Sequence, residues 1–385
     1  MPPGAAIENP CPNRLAEILK ELPLERAVLM PCADDWVKAV AELPAELARR
    51  FPVSMPPRPI VEAMLDKWRF SELLEREEVP HPKTWLLRSM EEAEALPEEE
   101  FEGAFLKPRV SQEFSRRYKA KAFSAKNREE ALQLLRKTFE DGMAMVLQEY
   151  IPGPLTSHHL IEGFVDQYGR PTWFARQRLR MYPTPFGNST LTMTVPFEKM
   201  APAAEALRRM FLRTGFRGIF GAEFKYDERD GQFKLLEINA RAWWYVEFAE
   251  RCGLPVCKLA YLDALGQPGE PVEGYKAGRR WVHLSQDYLA YRELRRKGQL
   301  NLGSWVRSWL GAEDVMLRWF DPGPFLANLL RARKRLVVHR MREATSLTAP
   351  KEETPPANRP KPHQEREDSG TPARVGGTVP RQEAR

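Results

Sequence analysis

The chain has 385 residues, enough for two or three domains with a sizeable core, and a net charge of +6. That mild positive balance, without a concentrated basic patch, argues against nucleic acid as a partner. Cys11, Cys32, Cys252 and Cys257 form no C-x-x-C pair and have no histidines at zinc spacing, no apolar run approaches the roughly 18 residues of a membrane span, and neither G-x-x-x-x-G-K-[ST] nor G-x-G-x-x-G occurs. These features exclude a disulfide scaffold, a helical membrane protein, a P-loop NTPase and a dinucleotide-fingerprint enzyme, and they predict reduced thiols in a cytoplasmic protein.

In chain order, Leu15, Ile18, Leu19 and Leu22 predict a helix from Arg14 to Leu22. Ala27–Pro31 then reads as a short buried strand and Asp34-Asp35 as the start of a helix to about Arg50, an α/β unit. Pro59 to Glu77 is a further helix, in which Asp66-Lys67 is either a surface ion pair or a lysine directed at an anion. Ala104–Pro108 is an apolar strand carrying Lys107 near its end, which is costly unless the ammonium meets an anion or water. Val110–Arg117 contains no glycine and offers Ser111, Ser115, Arg116 and Arg117. A helix over Asn127–Asp141 follows, then a strand from Met145 that turns into Gln148-Glu149-Tyr150-Ile151, closed by Pro152-Gly153.

His158–Phe164 and Thr172–Met181 alternate as a strand pair. Arg176, Arg178 and Arg180 share one face there, so either anions sit among them or the face is solvated. His158 and His159 point to opposite faces and are read as structural. After a helix over Pro202–Thr214 comes a hairpin. Phe220, Ala222, Phe224 and Tyr226 alternate with Gly221, Glu223, Lys225 and Asp227 before a three-residue turn at Arg229-Asp230-Gly231. That turn pairs Glu228 with Gln232 and sets Glu223 opposite Glu237, with Cβ atoms about 5 Å apart. Leu236, Ile238 and Ala240 are assigned to the core side, and Glu237, Asn239 and Arg241 to the side of Glu223. Facing carboxylates need a cation or a shared proton. Two carboxylates and an amide oxygen suit Mg²⁺ or Mn²⁺ held together with phosphates. The other reading is a solvated face neutralised by Lys225 and Arg241.

Beyond the hairpin, helices are expected over Ala242–Cys252 and Val256–Leu265, a strand at Trp281–Leu284 and a helix over Gln286–Arg296. Residues 325–342 form a basic amphipathic pattern that either touches an anionic membrane surface or packs on the domain. The composition of 346–385 is that of a disordered chain.

Glu223 followed by Glu237-Ile-Asn239-Ala-Arg241, preceded in order by Asp66-Lys67, Val79-Pro-His-Pro-Lys-Thr84, Lys107 and Gln148–Ile151, resembles the ATP-grasp superfamily, in particular its carboxylate–amine ligases. The resemblance covers about 65–270, and the order of the motifs is what makes it specific. It implies an α+β ATP-grasp fold: two α/β lobes with antiparallel sheets enclosing ATP at 85–270, after a short Rossmann-like α/β domain at 1–84 and before a mostly helical extension at 271–345 and a disordered tail at 346–385. It implies Mg²⁺ or Mn²⁺ ions on Glu223, Glu237 and Asn239, and nucleotide contacts from Lys67, Lys107 and Ser111. By the same resemblance Gln148, Glu149, Tyr150 and Ile151 form the adenine linker, Arg176 and Arg180 meet an anion, and Lys107, Arg178 and Arg241 stabilise the transferred charge. The implied reaction activates a small-molecule carboxylate as an acyl phosphate for attack by an amine. A phosphotransferase of the same fold and a non-catalytic nucleotide-binding protein are the alternatives. Two departures stand out: by the resemblance 110–117 is the flexible loop over the triphosphate, which is often glycine-rich in the family and contains no glycine here, and the first domain has a single expected strand.

Overall fold

The structure, a computed structural model, describes residues 12–184, 187–317, 320–327, 330 and 374–375. The amphipathic spacing of the N-terminal segment yields helices α1 (Pro12–Glu21), α2 (Asp34–Ala41), α3 (Ala45–Arg50), α4 (Arg58–Leu65) and α5 (Lys67–Arg76). The apolar faces of α1, α2 and α3 meet through Leu15, Leu19, Val40, Leu47 and Phe51. Pro44 separates α2 from α3, since proline cannot donate into a continuing helix. Asp66 separates α4 from α5: its carboxylate accepts from the backbone of Trp68 and Arg69, so the chain turns and Lys67 becomes the first residue of a new helix.

The first lobe contains β1 (Thr84–Leu87), α6 (Met90–Glu94), β2 (Ala104–Pro108), α7 (Ser111–Tyr118), β3 (Phe123–Ser124), α8 (Arg128–Glu140) and β4 (Met145–Glu149). Its antiparallel pairs run β1-β4-β2-β3. Leu87, Leu106, Met145 and Leu147 pack beneath Phe114 of α7 and Leu135 of α8.

The second lobe is built on β5 (His158–Val165), β6 (Pro171–Tyr182), β7 (Asn188–Thr194), α9 (Ala201–Thr214), β8 (Gly218–Asp227) and β9 (Gln232–Asn239), followed by α10 (Glu247–Arg251), α11 (Val256–Ala264), β10 (Arg280–Val282), α12 (Leu284–Arg296), α13 (Leu302–Trp309) and β11 (Glu313–Asp314). Its seven strands are ordered β11-β10-β7-β6-β5-β8-β9, antiparallel except for β10 with β11. One face buries Ile161, Phe220, Phe224 and Ile238 against Leu207 and Met210 of α9 and Leu73 and Leu74 of α5. By the two-residue period, the opposite face carries Glu162, Arg176, Arg178, Glu223 and Lys225. A two-residue strand β12 (Arg374–Val375) pairs with β1 at the edge of the first sheet.

Several expectations change. Residues 27–31 do not form a strand. Ala27 and Leu29 donate to the carbonyls of Arg50 and Pro52, but among the described residues before Thr84 all regular structure is helical. The helix expected from Asp34 to Arg50 is two helices, and so is the one from Pro59 to Glu77. Residues 110–117 are not a loop: Phe114 and Tyr118, four apart, place aromatic rings on one side of α7, where they contact Phe123. Only 247–251 of the helix expected over 242–252 is helical. Arg280–Val282 is a strand of the large sheet and pairs with β7.

The hairpin also differs. Asp227, not Glu228, pairs with Gln232, so the turn holds four residues, 228–231. A bulge at Leu236 then shifts the pairing by one and restores Glu223 opposite Glu237. Leu235 takes the core position instead of Leu236. The basic pattern at 331–342 and the tail, apart from 374–375, lie outside the described residues. No helix among the described residues is long and apolar enough to cross a membrane.

Candidate active site

Between the two sheets lies a cleft of about 410 Å³, with walls from both lobes and from α2 and α5. On the first-lobe side, β2 carries Lys107 one residue before its end, and Lys107 Nζ donates to Gln148 Oε1 on β4 at 2.8 Å. Gln148 is fixed in turn by donating to Thr84 Oγ1 on β1 at 3.1 Å. Lys67, delivered by the break at Asp66, donates to Ser111 Oγ at the start of α7 at 2.6 Å. Asp66 ties this corner together by accepting from Arg109 Nε at 2.7 Å. Burial lowers Lys107 to about 8, the nearby Lys67 adds to the shift, and Glu237 and Glu223 oppose it. Burial also lowers Lys67, against the pull of Glu237, Asp34 and Asp66.

The linker runs along the same cleft. Ile151 is buried and Tyr150 is partly open, with Lys225 Nζ lying 4.3 Å from its ring centroid. The backbone N–H groups of Glu149 and Tyr150 are engaged by the carbonyls of Lys83 and Gly103. The Glu149 carboxylate accepts from the Lys83 backbone at 3.1 Å and pairs with Arg229 of the hairpin turn, so it braces the two lobes. Burial lowers Lys225 to about 8, and Arg178 contributes in the same direction.

On the second-lobe side Glu223 and Glu237 are cross-strand partners, as the sequence pattern required. Their surroundings differ. Glu223 Oε1 lies 2.8 Å from Arg178 Nη1, and its Oε2 accepts from Arg178 Nη2 at 2.9 Å. His158 Nδ1 is 3.0 Å from Oε1 and donates to it when the proton sits on that nitrogen. Burial alone would raise the Glu223 carboxyl. Arg178 and His158 outweigh it and hold the group well below the usual carboxylate range. Glu237 is exposed, and its Oε1 accepts from Asn239 Nδ2 at 3.3 Å. Asn239 Oδ1 accepts from Arg241 Nη2 at 3.0 Å, and Arg241 also binds Asp34 at the start of α2, Nε to Oδ1 at 2.5 Å. Among the described residues no group of three or more His, Cys, Asp or Glu side chains converges as a ready-made metal site.

The three arginines, expected either to have anions among them or to lie on a solvated face, are each matched by protein carboxylates. Arg176, fully buried, makes two 2.7 Å bonds to Glu162 and a 2.9 Å bond to Thr192 Oγ1. Arg178 holds Glu223. Arg180 is not on the cleft wall: register shifts around it in the β6–β7 pair accompany a two-pronged bond to Asp287 of α12, at 2.9 and 2.7 Å. The other expected site residues, Lys67, Lys107, Ser111, Gln148, Glu149, Tyr150, Ile151, Arg176, Arg178, Glu223, Glu237, Asn239 and Arg241, all line the one cleft. So do residues to which no site role was assigned from the sequence: Asp34, His158, Lys225 and the aromatic run Trp243-Trp244-Tyr245. The period of two could have found His158, because it sits on the strand beside Glu223. Asp34 carries no local signal, since the contact spans 207 positions of chain.

Two antiparallel sheets around this cleft make the ATP-grasp fold that the sequence resemblance implied. The chain is 29% identical over 250 residues to a D-aspartate ligase of Enterococcus faecium (strain Aus0004), covering 62% of this chain and 59% of that protein. The chain thus spans about three-fifths of the length of that curated relative. Similar solved structures include the biotin carboxylase domain of Hydrogenobacter thermophilus 2-oxoglutarate carboxylase in complex with MgADP, ADP and bicarbonate (TM-score 0.54, 16% identity, 71% of this chain and 61% of that one). Another is the L-amino acid ligase of Bacillus licheniformis (TM-score 0.52, 16% identity, 70% and 64%). No protein-family model matches the chain.

Proposed function

We propose that the chain is an ATP- and Mg²⁺-dependent ligase that activates a small-molecule carboxylate as an acyl phosphate for attack by an amine or similar nucleophile, acting in the cytoplasm. The observation that carries this reading is the single cleft that brings the lysines of β2 and α5 against the acid-bearing hairpin. The names of the relatives favour an amino acid as the carboxylate.

The donor set fits a hard divalent cation. Glu223, Glu237 and Asn239 offer oxygen ligands alone, Glu237 is open to the cleft, and phosphate oxygens and water would complete the shell. When bound, such a cation neutralises charge on the transferred phosphoryl group. The chain's own residues do the rest. Lys107 and Lys67 hold phosphate oxygens, and the N-terminal turn of α7 with Ser111 stands where a glycine-rich loop was missed. Tyr150 and Ile151 flank the base. Lys107 and Arg241 spread the charge of the transferred phosphoryl group, and catalysis is positioning plus preorganised charge.

The test is ADP release from Mg-ATP across pools of amino acids and small carboxylates, with and without amines, and products weighed by mass spectrometry. Amine-dependent ADP release with a product lighter than the sum of its parts by one water is the expected outcome. A stable phosphorylated product formed without amine would make the chain a phosphotransferase, and no ADP release at all would refute catalysis.

A further inference from the structure

One ammonium in the cleft has no acceptor. Lys225 is 3% exposed and stands on β8 two residues after Glu223, on the face that lines the cleft. The carboxylates around it are spent elsewhere. Glu223 holds Arg178 and His158, Asp227 takes Arg229 and Lys234, and Glu149 takes Arg229 and the Lys83 backbone. Among the described residues Lys225 Nζ makes no hydrogen bond, and its contact is the face of the Tyr150 ring, 4.3 Å to the centroid. A ring face answers charge but gives no directed acceptor to an ammonium with its three donors. Burying such a group unmet is costly, and burial, with Arg178 nearby, lowers Lys225 to about 8.

The linker poses the matching question from the other side. The N–H groups of Glu149 and Tyr150 already donate to the carbonyls of Lys83 and Gly103, so those two donors are not free for a base. Ile151 is buried, and Phe105 lies edge-on to Tyr150 at 6.1 Å, so Lys225 stands as a donor among apolar walls. We propose that Lys225 reads the nucleobase: its ammonium donates to an unprotonated ring nitrogen of a purine held against Tyr150 and Ile151. The inference rests on the ligase reading only in that a nucleotide occupies the cleft. An ammonium donates and never accepts, so an edge with a ring nitrogen satisfies it, whereas an amino group or a C–H leaves it unmet. Its place also separates it from the phosphate lysines. Two strand residues, about 7 Å, set it off from Glu223, and Lys67 and Lys107 lie on the first-lobe wall, bonded to Ser111 and Gln148.

The experiment is isothermal titration calorimetry of the full chain and of Lys225→Met with ADP and its 1-deaza, 3-deaza and 7-deaza analogues, all with Mg²⁺. Each analogue replaces one ring nitrogen by C–H. ADP should bind Lys225→Met at least about tenfold more weakly than the wild type, the worth of one hydrogen bond to a charged donor. At least one analogue should cost the wild type about tenfold and the variant less than about threefold. Losses that are the same in both proteins for every analogue would refute base reading and leave the ligase reading intact. Inorganic tripolyphosphate should bind both proteins equally, and a loss matching that of ADP would make Lys225 a phosphate ligand instead. A penalty on 2′-deoxy-ADP that vanishes in Lys225→Met would move the contact to the ribose and overturn the proposal. No binding of ADP to the wild type would overturn both readings. Stability supplies a second measurement. Methionine removes a buried charge that has no acceptor, so without nucleotide the variant should unfold at an equal or higher urea concentration. A lower midpoint, or failure to fold, would show that the ammonium serves the protein itself and would overturn the proposal.

Discussion

Replacing Glu162 by glutamine asks whether the arginines of β6 depend on a ligand or on the protein itself for their counter-charge. Arg176 is fully buried, and its guanidinium is answered by two 2.7 Å bonds to Glu162, with Tyr245 OH donating to the same carboxylate at 3.1 Å. Glu162→Gln keeps the shape and one acceptor but leaves the guanidinium without a negative partner. Breaking a buried pair by removing one member costs about 3–5 kcal/mol, because the remaining charge stays desolvated. The loss should appear as a lower urea midpoint with an unchanged slope. Glu162→Gln combined with Arg176→Met should recover much of it, since removing both charges removes the penalty. Equilibrium unfolding followed by tryptophan fluorescence and circular dichroism measures all three. A loss below about 1 kcal/mol, or full rescue of Glu162→Gln by added phosphate, would show that Arg176 is a ligand-facing arginine and that the internal pairing is misjudged.

Other outcomes follow from the same geometry. Glu237→Ala should stay within about 0.5 kcal/mol of the parent in stability, as expected for an exposed strand position. It should lose at least about 100-fold in ADP release, roughly 2.7 kcal/mol of barrier, and turnover within threefold of the parent would refute its metal role. Burial holds Lys107 at about 8 against an ordinary 10.5, and bound phosphate favours its charged form. ADP binding at pH 9 should therefore take up protons, seen as a buffer-dependent binding heat that Lys107→Met reduces. Between pH 8 and 10.5 the unfolded chain holds more of this proton than the folded one, so this group's contribution to stability rises with pH across that window. A flat buffer dependence would contradict the burial of Lys107. Asp287→Ala leaves Arg180 without its carboxylate and removes acceptors used by Thr190 and Trp305. Proteolysis within 284–309 should speed up at least tenfold while the first lobe stays resistant.

Much of this was readable from pattern, and the misses have physical causes. The alternation of β8 and the order of the motifs were enough to set Glu223 opposite Glu237 and to bring Lys107, Gln148 and Ile151 to one place. The turn length was wrong and the acid pairing right because the bulge at Leu236 compensates, and bulges leave no mark in a binary pattern. The resemblance makes 110–117 a loop, whereas Phe114 and Tyr118 at a spacing of four signal the helix that forms. Residues 27–31 have a strand's composition but form only two backbone bonds to 50–52, short of a ladder. The neutralisation of Arg180 by Asp287, and of Arg241 by Asp34, depends on contacts 107 and 207 positions apart, which local reading does not reach. The cluster of β6 arginines was visible; that each carries its own carboxylate was not.

The extra residue in β9 has an evolutionary corollary. Because it sits between the reversal of the chain and the facing acids, it acts as an expansion joint: loop length can drift by one position, and the strand can absorb or release a residue without misaligning the chemistry. Shortening 228–231 by one residue should leave the ladder beyond Asp227–Gln232, bulge included, as it is, so the carboxylates still meet. Deleting Leu236 alone should iron β9 flat and leave Glu237 opposite Glu223.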